Sequence, residues 1–225
     1  MTRELNIALI GCGNWGKNVA RNLHQMGSLA CIYDVNTRLC EKLSHKYNSP
    51  IFELNSIFEN KNITGIVIAS PAITHKDLAI QALENDKDVL IEKPFCLSLP
   101  DAQKISVLAT NKNKVLMAGH LLNYHNAFIK MKELVKNGKI GLPQNIRANR
   151  LALGAVRSEE SVIYDLSAHD ISMILSITEE LPVDVSVQSI HHHNNIGPDI
   201  ISVKLSFSKG LTALINSDWM CPYKE

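Results

Sequence analysis

The chain lacks any apolar stretch long enough to span a bilayer, and it lacks a surplus of charge of either sign. Its 225 residues carry 23 basic and 22 acidic side chains, a formal net charge of +1. That balance leaves neither a basic patch for nucleic acid nor an acidic tail, so neither nucleic acid nor a membrane is an expected partner. Cysteine is scarce: Cys12, Cys31, Cys40, Cys96 and Cys221 are odd in number and form no C-x-x-C. Most lie in apolar runs, as reduced, buried thiols of a cytoplasmic protein do. Met1 to Asn6 lead directly into an apolar segment, which leaves no room for a signal peptide. There is no internal repeat and no low-complexity segment. With 45% hydrophobic residues, the chain can build one large core or two small ones.

What is present begins at the start of the chain. Leu5 to Ile10 form an apolar run that ends in Gly11, Gly13 and Gly16, the G-x-G-x-x-G spacing. In a strand–turn–helix context each glycine has a task. Gly11 permits the tight turn. Gly13 lets the backbone approach a pyrophosphate, and Gly16 lets the next helix pack close to the strand. Asn14 and Trp15 fill the turn between them. The pyrophosphate would rest on the amides at the helix N-terminus, where the dipole favours negative charge. A helical stretch (Asn18 to Met26) and a second apolar run (Leu29 to Tyr33) follow, ending in Asp34. A carboxylate at that offset accepts from the adenosine ribose 2′-OH and repels a 2′-phosphate, so NAD is the expected cofactor. Arg38, four residues on, keeps NADP open as an alternative.

The first half then alternates strand and helix. Helices are expected over 37–46, 55–60, 76–85 and 99–111. Strands are expected over 51–53, 63–69, 88–91 and 115–118, which implies a doubly wound parallel sheet over residues 1–119. From 120 to 225 the rhythm changes to α+β, with helices at 124–136 and 165–178. Strands at 146–151, 183–190, 200–207 and 211–219 are expected to form a largely antiparallel sheet. Ser208-Lys209-Gly210 joins the last two as a hairpin.

Three further motifs stand out. Ser70-Pro71 with His75 follows one expected strand, and Glu92-Lys93-Pro94 follows another. Both loops leave the C-terminal ends of parallel strands, where ligands bind in open α/β sheets, so these residues are cofactor-binding candidates. Asp165 and His169, four apart, share one face of a helix. Each also has a plainer reading, a solvated strand end for Lys93 and a surface pair for Asp165 and His169.

Together these motifs resemble the glucose–fructose oxidoreductase and inositol dehydrogenase family, over the whole sequence. Within it the chain looks most like the UDP-N-acetylglucosamine 3-dehydrogenase group, including enzymes of the uronic acid form. That closer likeness rests on Gly138-Lys-Ile-Gly141, Asn149-Arg150-Leu151, Leu153-Gly154, Arg157, Glu160 and Tyr164 to Ser172. The resemblance implies a nicotinamide enzyme that oxidises a secondary alcohol, at C3 of a UDP-N-acetylhexosamine or its uronate. It makes Lys93, Asp165 and His169 catalytic. An imidazole titrates near neutral pH and suits the base that takes the hydroxyl proton. Asp165 would orient it, and the Lys93 ammonium would stabilise developing alkoxide charge.

Arg150 and Arg157 are candidates to hold a pyrophosphate or carboxylate by bidentate bonds. Asn123 and Tyr124 lie where the family lines its sugar pocket. His191-His192-His193 alternate faces along a strand and make a poor metal cage, so no metal is expected. The chain departs from the family at Asn126 and Ala168, where prolines are common. Family members also continue for several strands and a helix beyond the position of Glu225. The last strand is therefore expected to be an open edge, and the sheet to self-associate into a dimer or tetramer. The alternatives to the sugar-nucleotide dehydrogenase are a NAD-binding regulatory or assembly protein without turnover, and a family dehydrogenase for another sugar or cyclitol.

Overall fold

The computed structural model describes residues 5–153, 160–192 and 197–225. The chain divides into two compact units, Met1–Gly119 and His120–Glu225.

The first unit is built on five parallel strands, β1 (Ile7–Ile10), β2 (Leu29–Tyr33), β3 (Gly65–Ile68), β4 (Asp88–Ile91) and β5 (Leu116–Ala118), in the order β2-β1-β3-β4-β5. These strands read as near-continuous apolar runs because both faces of the sheet are covered. On one face Leu9, Ile32 and Val67 pack on Ala20 of α1 (Gly16–Gln25) and on Cys40 and Leu43 of α2 (Thr37–Tyr47). On the other, Ala8, Ile10, Ile66, Ile68, Val89 and Ile91 meet three helices. Those are α3 (Leu54–Glu59), α4 (His75–Glu84) and α5 (Leu99–Asn111). Each of these isoleucines, fully removed from water, contributes about 1.5–3 kcal/mol of hydrophobic stabilisation. Ile51–Glu53, expected as a strand, reduces to one parallel bridge between Ile51 and Ile32. Glu53 is already the cap of α3, which leaves no length for a ladder. Counting that rudiment outside β2, the strand order is that of a dinucleotide-binding sheet, and the order reverses at β1 and β3.

The second unit places α6 (Asn126–Lys136) and α7 (Ala168–Thr178) with four strands, β6 (Asn145–Leu151), β7 (Asp184–Ile190), β8 (Ile200–Ser206) and β9 (Thr212–Asp218). Ile146, Ala148, Val203, Leu205, Ala213 and Ile215 line one sheet face and meet Ile171, Ile174 and Leu175 of α7. The β8–β9 hairpin forms as expected, with Gly210 at φ +83° in its turn. The sheet is largely antiparallel, as expected, with β6 running parallel to β9. One expectation is corrected. The order is β6-β9-β8-β7, so the last strand is interior and the edges are β6 and β7. Local sequence fixes the hairpin, but β6 finds β9 across a separation of 67 residues, at Asn145 and Thr212.

Candidate active site

Five loops leave the C-terminal edge of the parallel sheet, and every cofactor-binding candidate of the first unit lies on them or on the helices they open. Gly11 follows β1 with φ +103°, and a Cβ there would collide with the Ala69 backbone. A Cβ at Gly16 would collide with the Gly11 carbonyl. These two glycines are demanded by the fold itself. Gly13 is different: a Cβ there meets nothing within 4 Å, so the position faces open space. A cradle with room above its backbone is what a pyrophosphate requires, and the first amides of α1 stand ready beside it.

Asp34 follows β2 and turns back toward that cradle. Its Oδ2 accepts from the Cys12 amide at 2.6 Å and its Oδ1 from the Asn36 amide at 2.8 Å. A carboxylate has about four acceptor sites, so both oxygens retain capacity for ribose hydroxyls. The open position at Gly13 and the spare acceptor capacity of Asp34 are of the kind a dinucleotide requires. Arg38 is exposed in the first turn of α2, and Asn14 is exposed with its Oδ1 accepting from Lys17. Beneath the turn, burial pushes the Cys12 thiol up, and the Cys31 thiol up to about 12. These are inert packing groups, as the sequence implied.

Ser70 and Pro71 follow β3, with the Ser70 hydroxyl 2.6 Å from that of Thr74. Glu92 and Lys93 follow β4. The Trp15 indole donates to Glu92 Oε1 at 2.6 Å, and the Lys93 amide donates to Oε2 at 3.3 Å. A Cβ at Gly119, after β5, would lie 2.8 Å from the same carboxylate. Desolvation raises the pKa of Glu92, partly offset by the Trp15 and Lys93 hydrogen bonds. His75 is the correction in this unit. Its side chain is 1% exposed, and its two ring nitrogens meet the carbonyls of Pro94 and Ser70. It braces two loops from beneath and presents nothing to a cofactor.

In the second unit, Asp165 lies in a π-helical turn, Ile163–Ser167, and His169 is the second residue of α7, which follows it. The single regular helix expected over 165–178 is therefore interrupted by a wide i→i+5 turn. Such turns recur at functional sites. Arg150 is drawn inward. Its Nε and Nη2 fork onto Asp170 at 3.0 and 2.7 Å, and that bond raises the guanidinium pKa further. Asp170 is 5% exposed, so removing Arg150 would leave a buried charge uncompensated at about 3–5 kcal/mol. A defect in Arg150→Ala would therefore report lost stability first. Asp170 was missed as a partner, although it adjoins His169 in sequence. Alternation along β6 puts Arg150 with Ile146 and Ala148 on the face that α7 covers.

Tyr124 is 64% exposed, and Asn123 stands beside it in a 3-10 turn, Leu121–Tyr124. Asn123 Oδ1 and His120 Nδ1 are both buried with no hydrogen-bond partner among the described residues. Burial lowers the pKa of His120. His120 was missed by sequence reasoning, since nothing in a single histidine after a strand marks it. Arg157 and His193 lie outside the described residues. Among the described residues no group of His, Cys, Asp or Glu is placed to hold a metal ion. None of the described helices is long and apolar enough to cross a membrane.

Comparison with known proteins follows the same division. Residues 5–120 match the model of an oxidoreductase family with a NAD-binding Rossmann fold, and residues 128–225 match the GFO/IDH/MocA C-terminal domain. The UDP-N-acetylglucosamine 3-dehydrogenase of Acidithiobacillus ferrooxidans is 28% identical over 81% of this chain and 57% of its own. The myo-inositol 2-dehydrogenase of Thermotoga maritima is 27% identical over 97% of this chain and 70% of its own. Among solved structures, GenD2 from gentamicin A biosynthesis, in complex with NAD, superposes with a TM-score of 0.90 at 22% identity. It covers 99% of this chain and 68% of that one. The chain spans 37%, 61% and 57% of the length of three curated relatives it matches.

Proposed function

The chain belongs to the GFO/IDH/MocA oxidoreductase family, and from that premise we propose that it is a NAD-dependent dehydrogenase of a sugar nucleotide. The substrate in this reading is a UDP-N-acetylhexosamine or its uronate, oxidised at C3. The observation that carries it is the C-terminal edge of the parallel sheet, where the open Gly13 cradle, Asp34 and the Glu92-Lys93 loop adjoin. The α1 amides would hold the pyrophosphate and Asp34 would accept from the adenosine ribose. When bound, NAD would supply the hydride acceptor for the alcohol carbon. His169 takes the hydroxyl proton, Asp165 orients the imidazole, and the Lys93 ammonium stabilises charge that develops on the oxygen. Asn123, Tyr124, Arg150 and Arg157 are its substrate-side candidates, with Arg150 acting through Asp170.

A cyclitol is the second reading, favoured by the match to myo-inositol 2-dehydrogenase along 97% of the chain. The test is to titrate NADH and NADPH by fluorescence, then to assay UDP-N-acetylglucosamine, its uronate and myo-inositol with NAD. NADH should bind more tightly than NADPH, because Asp34 repels a 2′-phosphate. Tighter NADPH binding would remove Asp34 from that role. NADH binding without turnover on any of the three would favour the regulatory alternative.

Self-association belongs to the same reading, although its structural basis moves. All seven residues of the edge strand β7 are exposed. Val185 and Val187 pair with Leu205 and Val203, so they extend the core face of the sheet past its cover. An open edge with an apolar margin favours a second copy, and a stable contact needs about 800 Å² per partner. Light scattering at micromolar concentration should therefore give a dimer or tetramer, and a clean monomer would refute this.

A further inference from the structure

We propose that His75 is a positioning residue for Lys93, acting through the Pro94 carbonyl; the inference rests on the catalytic role proposed for Lys93. The imidazole is the first side chain of α4, yet it points away from solvent and is 1% exposed. Its Nδ1 lies 2.8 Å from the carbonyl oxygen of Pro94, and its Nε2 lies 2.9 Å from that of Ser70. Those carbonyls belong to the loops after β4 and β3, which are neighbouring strands of the sheet. A carbonyl oxygen only accepts and a neutral imidazole carries a single N–H, so the ring donates to Pro94 in the tautomer with its hydrogen on Nδ1, to Ser70 in the other tautomer, and to both loops only when both nitrogens carry hydrogen.

Pro94 has no amide hydrogen, so its carbonyl is the main-chain group through which the loop can be held at that residue. Lys93 is joined directly to it. On its other side, the Lys93 amide donates to the Glu92 carboxylate, which Trp15 of the glycine turn also grips. Lys93 is thus held between two fixed points, Glu92 before it and the His75–Pro94 bond after it. A reacting group displaced by about 1 Å can lose up to about 100-fold in rate, so the second fixed point bears on turnover as well as on fold.

The ring nitrogens can be tested separately. The side-chain nitrogen of asparagine lies as many bonds from Cα as Nδ1 does, and that of glutamine as many as Nε2. His75→Asn therefore keeps a donor for Pro94, His75→Gln keeps one for Ser70, and His75→Leu keeps neither. The inference predicts that Leu and Gln lower kcat by at least about tenfold with KM nearly unchanged, and that Asn restores most of kcat. A second readout is independent of turnover: the rate at which a water-soluble acetylating ester modifies Lys93, followed by peptide mass spectrometry and referenced to Lys139. That rate should change in the Leu and Gln variants and return toward the wild-type value in Asn. Equal losses in all three variants, in step with their melting temperatures, would overturn the inference, because a generic packing role predicts them. Wild-type kcat and acetylation in His75→Leu, beside an inactive Lys93→Met, would overturn it while leaving the role of Lys93 intact. An active Lys93→Met would instead sink the catalytic reading, and acetylation would then decide on His75 alone.

Discussion

Gly13→Val should abolish NADH binding and leave the first unit folded. The three glycines of the turn are separable on this point. A side chain at Gly11 meets both a φ of +103° and the Ala69 backbone, and one at Gly16 meets the Gly11 carbonyl. Substituting either forces main chain to move, at about 1–3 kcal/mol for overpacking alone. At Gly13 no protein atom stands within 4 Å of the new Cβ, and φ lies outside the left-handed region. The melting temperature of Gly13→Val should stay close to wild type, as at a surface site costing within about 0.5 kcal/mol. The branched side chain would occupy the space that a pyrophosphate needs. Thermal melting and NADH fluorescence titration together decide the matter. Retained affinity would show that the phosphates do not pass over Gly13.

The second large effect is expected at Lys93→Met and His169→Asn. Methionine keeps the length of the lysine stem and removes its charge, while asparagine keeps a polar group and removes the titrating ring. NAD affinity should be nearly unchanged in both. Turnover should fall by the about 10²–10⁴-fold that acid–base and electrostatic help supplies. Steady-state kinetics with NAD and UDP-N-acetylglucosamine would measure it. A wild-type rate in either variant removes that residue from the mechanism.

Much of the first unit was legible in the sequence because its signals are local. Gly11, Gly13 and Gly16 are marked by their spacing within a few residues, even though the clash that a side chain at Gly11 would make is with the distant Ala69 backbone, and Asp34 sits where its strand ends. The parallel strands announce themselves as apolar runs because helices cover both faces. What stayed hidden depends on partners far along the chain. Nothing near Trp15 predicts a bond to Glu92, 77 residues away. Nothing near His75 shows that both of its nitrogens are taken by loop carbonyls, and so it read as a ligand. In the second unit the hairpin at Gly210 was visible, but the place of β6 was not. Arg150 looked like a free fork for a phosphate because Asp170 becomes its partner only when α7 lies on the sheet. The π turn at Asp165 escaped for a different reason: apolar spacing does not distinguish i→i+4 from i→i+5 over five residues.

The interior position of β9 also governs how the second unit forms. Strands β7, β8 and β9 follow one another as neighbours and can zip locally. Strand β6, made first, has nothing to pair with until residues 212–218 exist, because among the described residues β9 is its one neighbour in the sheet. Closing that gap costs chain entropy before any ladder bond repays it, and such non-local pairings are slow. During synthesis β6 therefore waits as an unpaired strand while the first unit, whose strands pair nearer in sequence, completes itself. The waiting segment is polar along the face away from α7, at Asn145, Arg147 and Asn149. That is the pattern by which an exposed strand resists joining a stranger before its own partner arrives.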